Sequence, residues 1–364
     1  MTTTLKHTPL FAAHVALGGR IVPFAGWEMP LQFQGILAES RAVRARCGLF
    51  DVSHMGRIVV EGPGAGPLLD WAHSNDIAGM AVGRARYGLL CNPEGGVIDD
   101  GIVYRLGEQR YLLVANAANM ERVLSWVRRW RQERSPDAEI TDVTLEQAMI
   151  AFQGPEAVGI MERLSSFDSS RVRPFWCMEA DIQGRHALVG RTGYTGEDGV
   201  EVILPSEHAP WLWSLLQEQG ATPCGLGARD VLRLEAALLL HGQDMDATTN
   251  PVEAGLERFV KADKEFCGGD AIRRAQKHGV SRKLVGFQTD GRGAVPRHGY
   301  AILDGGSAIG KVTSGGFSPT LDRNIGLGYV SPRHATPGAR FQVDVRGRPT
   351  EAVAVPLPFY SRKR

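Results

Sequence analysis

After Arg282 the sequence settles into six short apolar runs: Leu284–Gln288, Ala301–Leu303, Ile309–Thr313, Ile325–Val330, Phe341–Val345 and Ala352–Val355. Turn residues separate them (Asp304-Gly-Gly306, Ser314-Gly-Gly316, Ser331-Pro332, Gly347). Runs this short read as strands, and evenly spaced short strands with Gly and Pro turns make a small β-barrel or sandwich. The change of texture puts a domain boundary at 276–282, in Gln276-Lys-His-Gly-Val-Ser281.

Upstream of that boundary, strand-like and helix-like segments alternate. Arg57–Glu61, Arg86–Cys91, Val97–Leu106, Tyr111–Ala115 and Val200–Leu204 read as strands. Asn92-Pro-Glu-Gly-Gly96 lies between two of them and signals a hairpin with a longer loop. Helical spacing marks Gly64–Asn75, a segment with Met120, Val123, Leu124 and Val127 on one face, one opened by Pro155, and Glu207–Gln219 closed by Gly220. No parallel crossover rhythm runs through these elements, so the class is α+β rather than a doubly wound sheet.

At roughly 100–200 residues per domain, 364 residues make two or three domains. Apolar residues at 43% and charged ones at 22% exclude disorder as the dominant state. A net charge of +1 excludes a dedicated nucleic-acid binder, which needs a basic excess to displace counterions. No run approaches the roughly 18 apolar residues of a membrane span, and the N-terminus lacks the apolar core of a secretory signal. Five cysteines (Cys47, Cys91, Cys177, Cys224, Cys267) stand at least 43 positions apart. They form neither a disulfide framework nor a metal motif, and read as buried small hydrophobes in a reducing, cytoplasmic setting.

Several motifs carry possible chemistry. Gly62-Pro-Gly-Ala-Gly-Pro67 and Gly225-Leu-Gly-Ala-Arg-Asp230 fail the dinucleotide spacing and read as turns or helix starts. Asp99-Asp100 lies inside the apolar run Val97–Val103, where a carboxylate must be paired or shift its pKa upward. Alternation cannot choose between the two, because both faces of the run are apolar. A hairpin-end cap is the structural alternative. Arg191-Thr-Gly-Tyr-Thr-Gly-Glu-Asp-Gly199 is a polar loop leading into a strand, as much a turn as a binding element. His54, in Asp51-Val-Ser-His-Met55, has no second ligand at metal spacing, so no metal site is expected. Arg128-Arg-Trp-Arg-Gln-Glu-Arg134 is most simply a solvated helix end, with docking of an acidic partner the other reading.

Taken in order, the blocks of this chain resemble the glycine cleavage system T-protein family, the aminomethyltransferases. The resemblance rests on Phe24-Ala-Gly-Trp-Glu-Met-Pro30, Gly48-Leu-Phe-Asp-Val-Ser-His-Met-Gly56, Asn92-Pro-Glu-Gly-Gly-Val-Ile-Asp-Asp100 and Val114-Ala-Asn-Ala-Ala-Asn119. It continues through Arg191–Gly199, Cys224–Asp230, Gly242-Gln-Asp-Met-Asp246, Asn250-Pro-Val-Glu253 and Thr313–Thr320. It implies a three-domain cloverleaf: two interleaved α+β domains over 1–278 and a β-barrel over 282–364. The implied activity moves a one-carbon unit from the aminomethyl-dihydrolipoyl arm of the H-protein to tetrahydrofolate. Ammonia leaves and methylenetetrahydrofolate forms, in concert with the P- and L-proteins and without metal, nucleic acid or membrane.

Residue by residue, the resemblance implies that Asp100 is the catalytic aspartate, which decides the parity that alternation left open. Tyr87, Asn116, Tyr194 and Glu201 match folate-site positions. Arg229 is implied as a folate contact, with Arg233 the alternative. Met55 matches a pocket wall, and Arg362 a basic residue at the entrance for the lipoyl arm. Two folate families of related fold are set aside. The iron–sulfur and tRNA-modification factors put a cysteine before an aromatic, an order that Lys264-Glu-Phe-Cys267 reverses. The sarcosine and dimethylglycine dehydrogenases need a flavin domain for which this chain has no room. A folate-binding module without activity is disfavoured by the intact Asp100 and its Gly-Gly hairpin.

Overall fold

The six runs after Arg282 each become a strand, and the strands close into a barrel. In a computed structural model describing residues 4–289 and 295–362, Lys283–Thr289, Arg323–Val330, Ser307–Ser318, Ala301–Asp304, Arg340–Val345 and Arg348–Val355 pair in that order around the ring. The outermost positions of the two expected domain ranges, 1–3 and 363–364, lie outside the described residues. Alternation sets the barrel's inside. Phe341, Val343 and Val345 are buried while Gln342 and Asp344 between them are not. With Val285, Phe287, Ile302, Val312 and Ala354 they form one apolar core. Gly279, at φ +81, ends the Gly269–His278 helix just before the first barrel strand.

The chain segregates into two compact units. The first comprises the residues up to Leu90 with Asp99–Gly193 and Glu197–Arg229; the second comprises Cys91–Ile98, Tyr194–Gly196 and the chain from Asp230 onward, barrel included. Two large sheets and the two-stranded pair Arg20–Phe24 with Trp27–Gln32 build the first unit. One has six strands in the order Cys177–Ile182, Arg185–Gly190, Gly199–Pro205, Gln147–Gln153, Gly48–Asp51 and Thr222–Pro223. The other has five: Ala85–Cys91, Val97–Gly107, Arg110–Ala115, Gly56–Glu61 and Glu139–Asp142. Their strands pair antiparallel, while Thr222–Pro223 runs parallel to Gly48–Leu49, which fits the α+β class.

Helices pack where apolar spacing predicts. Ala65–Ala72 buries Leu68, Leu69 and Ala72, and Met120–Arg134 buries Val123, Val127 and Trp130. The arginines of that second helix are partly engaged. Arg129 pairs with Glu133 at 2.9 Å, and Arg134 lies 3.4 Å from the Trp71 ring centroid, a cation–π contact. The helix expected to open at Pro155 begins two residues later, at Ala157. Gly154 in an extended positive-φ bend (φ +131) makes the chain turn before Pro155, so the proline belongs to the turn. All five cysteines are free and buried. Burial raises four of the thiols, Cys47 to about 11, Cys177 to about 12, and Cys91 and Cys224 as well, so these pack as inert hydrophobes.

Candidate active site

The chemistry gathers on the second strand of the five-stranded sheet. Gly101 pairs with Ala115 on the neighbouring strand, and continuing that register puts Asn116 opposite Asp100. Strand alternation sends Asp99 and Asp100 to opposite faces. Asp99 is fully buried and saturated: it accepts from Asn116 N at 3.0 Å, Asn116 Nδ2 at 2.8 Å and Asn119 Nδ2 at 2.6 Å. Asp100 retains 8% exposure. Tyr87 donates its hydroxyl to Asp100 Oδ2 at 2.9 Å, and Asn116 Nδ2 donates to Oδ1 at 2.8 Å. Burial pushes the Asp100 carboxyl up to about 7, and the neighbouring Asp99 adds to the rise against the two hydrogen bonds. Asp100 therefore exchanges a proton near neutrality.

Further along the same face of this strand, two residues on, then two more, comes Tyr104. Its hydroxyl lies 2.7 Å from Thr192 Oγ1, and Thr192 donates in turn to Glu201 Oε2 at 2.6 Å. Burial and the charge of Glu201 hold the phenol well above its usual range, so Tyr104 stays protonated and donates. Glu201 is 6% exposed, on the Gly199–Pro205 strand of the six-stranded sheet. Its other oxygen, Oε1, accepts no hydrogen bond from the described residues. Neither Tyr104 nor Thr192 stood out in the sequence. One lay in an apolar strand and the other in a glycine loop, 88 positions away.

The segment after Gly48–Asp51 carries His54 and Met55. Arg57, fully buried, threads back beneath it and donates to the carbonyls of Met55 (2.6 Å), Ser53 (2.9 Å) and Gln147 (3.0 Å), and to that of Thr144. Four carbonyls on one guanidinium fix the loop that carries half-buried Met55. A strand arginine in an apolar run was the available signal for this role. His54 is buried, and burial depresses its imidazole to about 4; Asp51 opposes this while Arg229 and Arg57 reinforce it. Arg229 is half-buried on the Leu226–Glu235 helix and close enough to His54 for its charge to count. The start of that helix is committed to structure: Gly225 N donates to buried Glu39 at 2.9 Å. That contact agrees with the reading of this glycine cluster as a helix start.

Tyr194, Arg233 and Arg362 belong to the second unit. Tyr194 donates its hydroxyl to the Leu239 carbonyl at 2.5 Å. Arg233 is 1% exposed and spends its guanidinium internally, on Asp230 (2.8 Å from Nε), Asp244 (2.7 Å), Ser314 (2.9 Å) and the Leu238 carbonyl (3.4 Å). Such saturation makes it a structural anchor. Arg362 is half-buried. Gly96, in the hairpin loop of the same unit, allows close approach: a Cβ there would meet the Ala247 carbonyl oxygen at 1.8 Å. Among the described residues no cluster of three or more His, Cys, Asp or Glu could hold a metal ion. A surface cavity of about 440 Å³, lined by His7, Thr8, Trp27 and Ser53 among others, includes none of Asp100, Tyr87, Asn116, Tyr194, Glu201, Arg229, Arg233 and Met55.

Comparison with known proteins bears on this arrangement. Residues 10–264 match the family model described as the GCVT N-terminal domain, and 282–361 match the glycine cleavage T-protein C-terminal barrel domain. The aminomethyltransferase of Rubrobacter xylanophilus is 49% identical over 99% of this chain and 96% of its own length. That of Bacillus subtilis is 42% identical over 98% of this chain and 100% of its own. Among solved structures, glycine cleavage system aminomethyltransferase T from Bartonella henselae superposes with a TM-score of 0.91, at 36% identity and 98% coverage of each chain.

Proposed function

The chain belongs to the glycine cleavage T-protein family, aminomethyltransferases that use tetrahydrofolate, and from that premise we propose how its residues divide the work. The donor is the aminomethyl group on the dihydrolipoyl arm of the H-protein, in a system shared with the P- and L-proteins. The acceptor is tetrahydrofolate. In balance, the bond from lipoyl sulfur to carbon breaks, as does the bond from carbon to the amine. Two folate N–H groups give way to N–C bonds, and their protons end on the departing ammonia and on the lipoyl sulfur.

The observation that carries this reading is Asp100, a nearly buried carboxylate poised near pH 7 between Tyr87 and Asn116. A base tuned to the working pH combines the correct protonation state with useful proton affinity. Asp100 takes the proton of the folate linker nitrogen as the second N–C bond closes. Asn116 fixes Oδ1, and Tyr87 holds Oδ2 toward the reacting nitrogen. The residues also suit the rest of the folate. Glu201 Oε1 is an acceptor for the N–H groups along the pteridine edge. Met55 supplies an apolar wall, and Arg229 a guanidinium for the carboxylates of the folate tail. Tyr194 and Arg362 are assigned to folate and to the lipoyl-arm entrance on the family pattern. We assign the folate chemistry to 1–278 and the barrel domain to 282–364.

The test is an assay of ammonia and methylenetetrahydrofolate with purified aminomethylated H-protein. Both products should form in equal amounts, and only when carrier and tetrahydrofolate are present together. Turnover that ignores the carrier would contradict the proposal.

A further inference from the structure

We propose that Asp99 is a positioning residue for this reaction: it fixes the Asn116 carboxamide that orients Asp100, and holds a second negative charge one residue from the reacting carboxylate. The inference rests on the reading of Asp100 as the catalytic base. Its ground is the bridge made by one amide. Asn116 Nδ2 lies 2.8 Å from Asp99 Oδ1 and 2.8 Å from Asp100 Oδ1, with the Asp100 carbonyl at 3.0 Å. Asn116 N also donates to Asp99 Oδ2, so Asp99 grips both the backbone and the side chain of the residue that grips Asp100. Behind it, Asn119 Nδ2 donates at 2.6 Å, giving the fully buried carboxylate three N–H partners.

A carboxylate that accepts several N–H bonds keeps its charge even without solvent. The donors of Asp99 are therefore what make a permanent charge tolerable there. The groups that face Asp100 are Tyr87 from the preceding strand, Asn116 from the following one and Asp99 on its own strand. Burial is the first cause of the raised proton affinity of Asp100, and of these three groups Asp99 is the one that adds to it. Asp99 thus does two things: it aims the carboxylate through Asn116 and adds to the rise that burial gives its proton affinity. The paired aspartates divide into a charge that stays and a proton that moves.

The test is the pH dependence of ammonia release by the full chain, with aminomethylated H-protein and tetrahydrofolate. The wild type should show an acid limb with a midpoint near 7. Asp99→Asn removes the fixed charge, so the limb should move down by at least about one pH unit and the plateau rate should fall at least about tenfold. Asn119→Ala takes a donor from Asp99 and leaves its charge less screened, so the limb should move up. Opposite shifts are not expected of residues that merely hold the fold. An acid limb unmoved in a folded Asp99→Asn protein overturns the inference. Should circular dichroism show that variant unfolded, the Asn119→Ala limb decides alone: an upward shift supports the inference and an unchanged one overturns it. Asp100→Asn is assayed alongside. If it is nearly inactive while the other limbs stay put, the inference alone fails. If it turns over like wild type, the reading of Asp100 fails instead.

Discussion

Thr192 is a small residue with a large share in the site. Its hydroxyl accepts a hydrogen bond from Tyr104 and donates one to Glu201, fixing a buried carboxylate. Thr192→Val keeps the shape and removes both bonds. A bond of this kind is worth about 1 kcal/mol, or about fivefold in an equilibrium constant. On the proposal that Glu201 positions the folate and takes no part in the bond changes, the KM for tetrahydrofolate should rise by about that factor or more, with kcat changed less than about twofold. An unchanged KM with a reduced kcat would place Glu201 elsewhere in the chemistry. At this scale the sequence was readable where burial and charge collide, as in Asp99-Asp100. It was opaque where two ordinary residues meet: nothing local marks Tyr104 and Thr192 as partners, because their contact exists only once two sheets have formed.

At the scale of elements, a buried hydrogen bond ties the N-terminal helix Phe11–Ala16 to the strand Gly48–Asp51. His14 Nε2 lies 2.8 Å from Asp51 Oδ2, with both side chains at 0% exposure, and Thr8 donates to the same oxygen at 2.6 Å. Burial alone would raise the Asp51 carboxyl. The hydrogen bond and charge of His14, with Thr8 and Ser53 N, outweigh it and bring it down to about 2. A folded value below the unfolded one gives stability that is present above about pH 4 and lost as the pH falls through about 2. The contribution is about 2 kcal/mol. In urea titrations, the gap in unfolding free energy between wild type and Asp51→Asn should narrow by about that amount from about pH 5 to about pH 2. A gap that does not depend on pH would show that the carboxylate charge is not what clasps the helix. The elements themselves were legible in proportion to their patterning. Barrel strands that alternate, such as Arg340–Val345, announce themselves. Gln147–Gln153 is buried on both faces at nearly every position and shows no period to read.

Over the whole molecule, the chain's near-neutral charge hides local order: Arg57 and Arg233 are fully buried supports, whereas Arg229 is half-buried. The barrel and the α+β class follow from texture that any reader of the sequence can see. The division of the chain into compact units does not, because Cys91–Ile98 and Tyr194–Gly196 leave their sequence neighbours to join residues far along the chain. Such exchanges depend on tertiary contacts such as that of Asn92 Nδ2 with the Ala247 carbonyl, which short-range patterns do not encode. The central claim remains that placement does most of the work and one carboxylate moves the proton. It is met most directly by Asp100→Asn, measured for ammonia release from aminomethylated H-protein and, separately, for tetrahydrofolate binding by calorimetry. The account predicts turnover lower by about 10²-fold or more, with folate affinity within a few-fold of wild type. Ammonia release near the wild-type rate would contradict it.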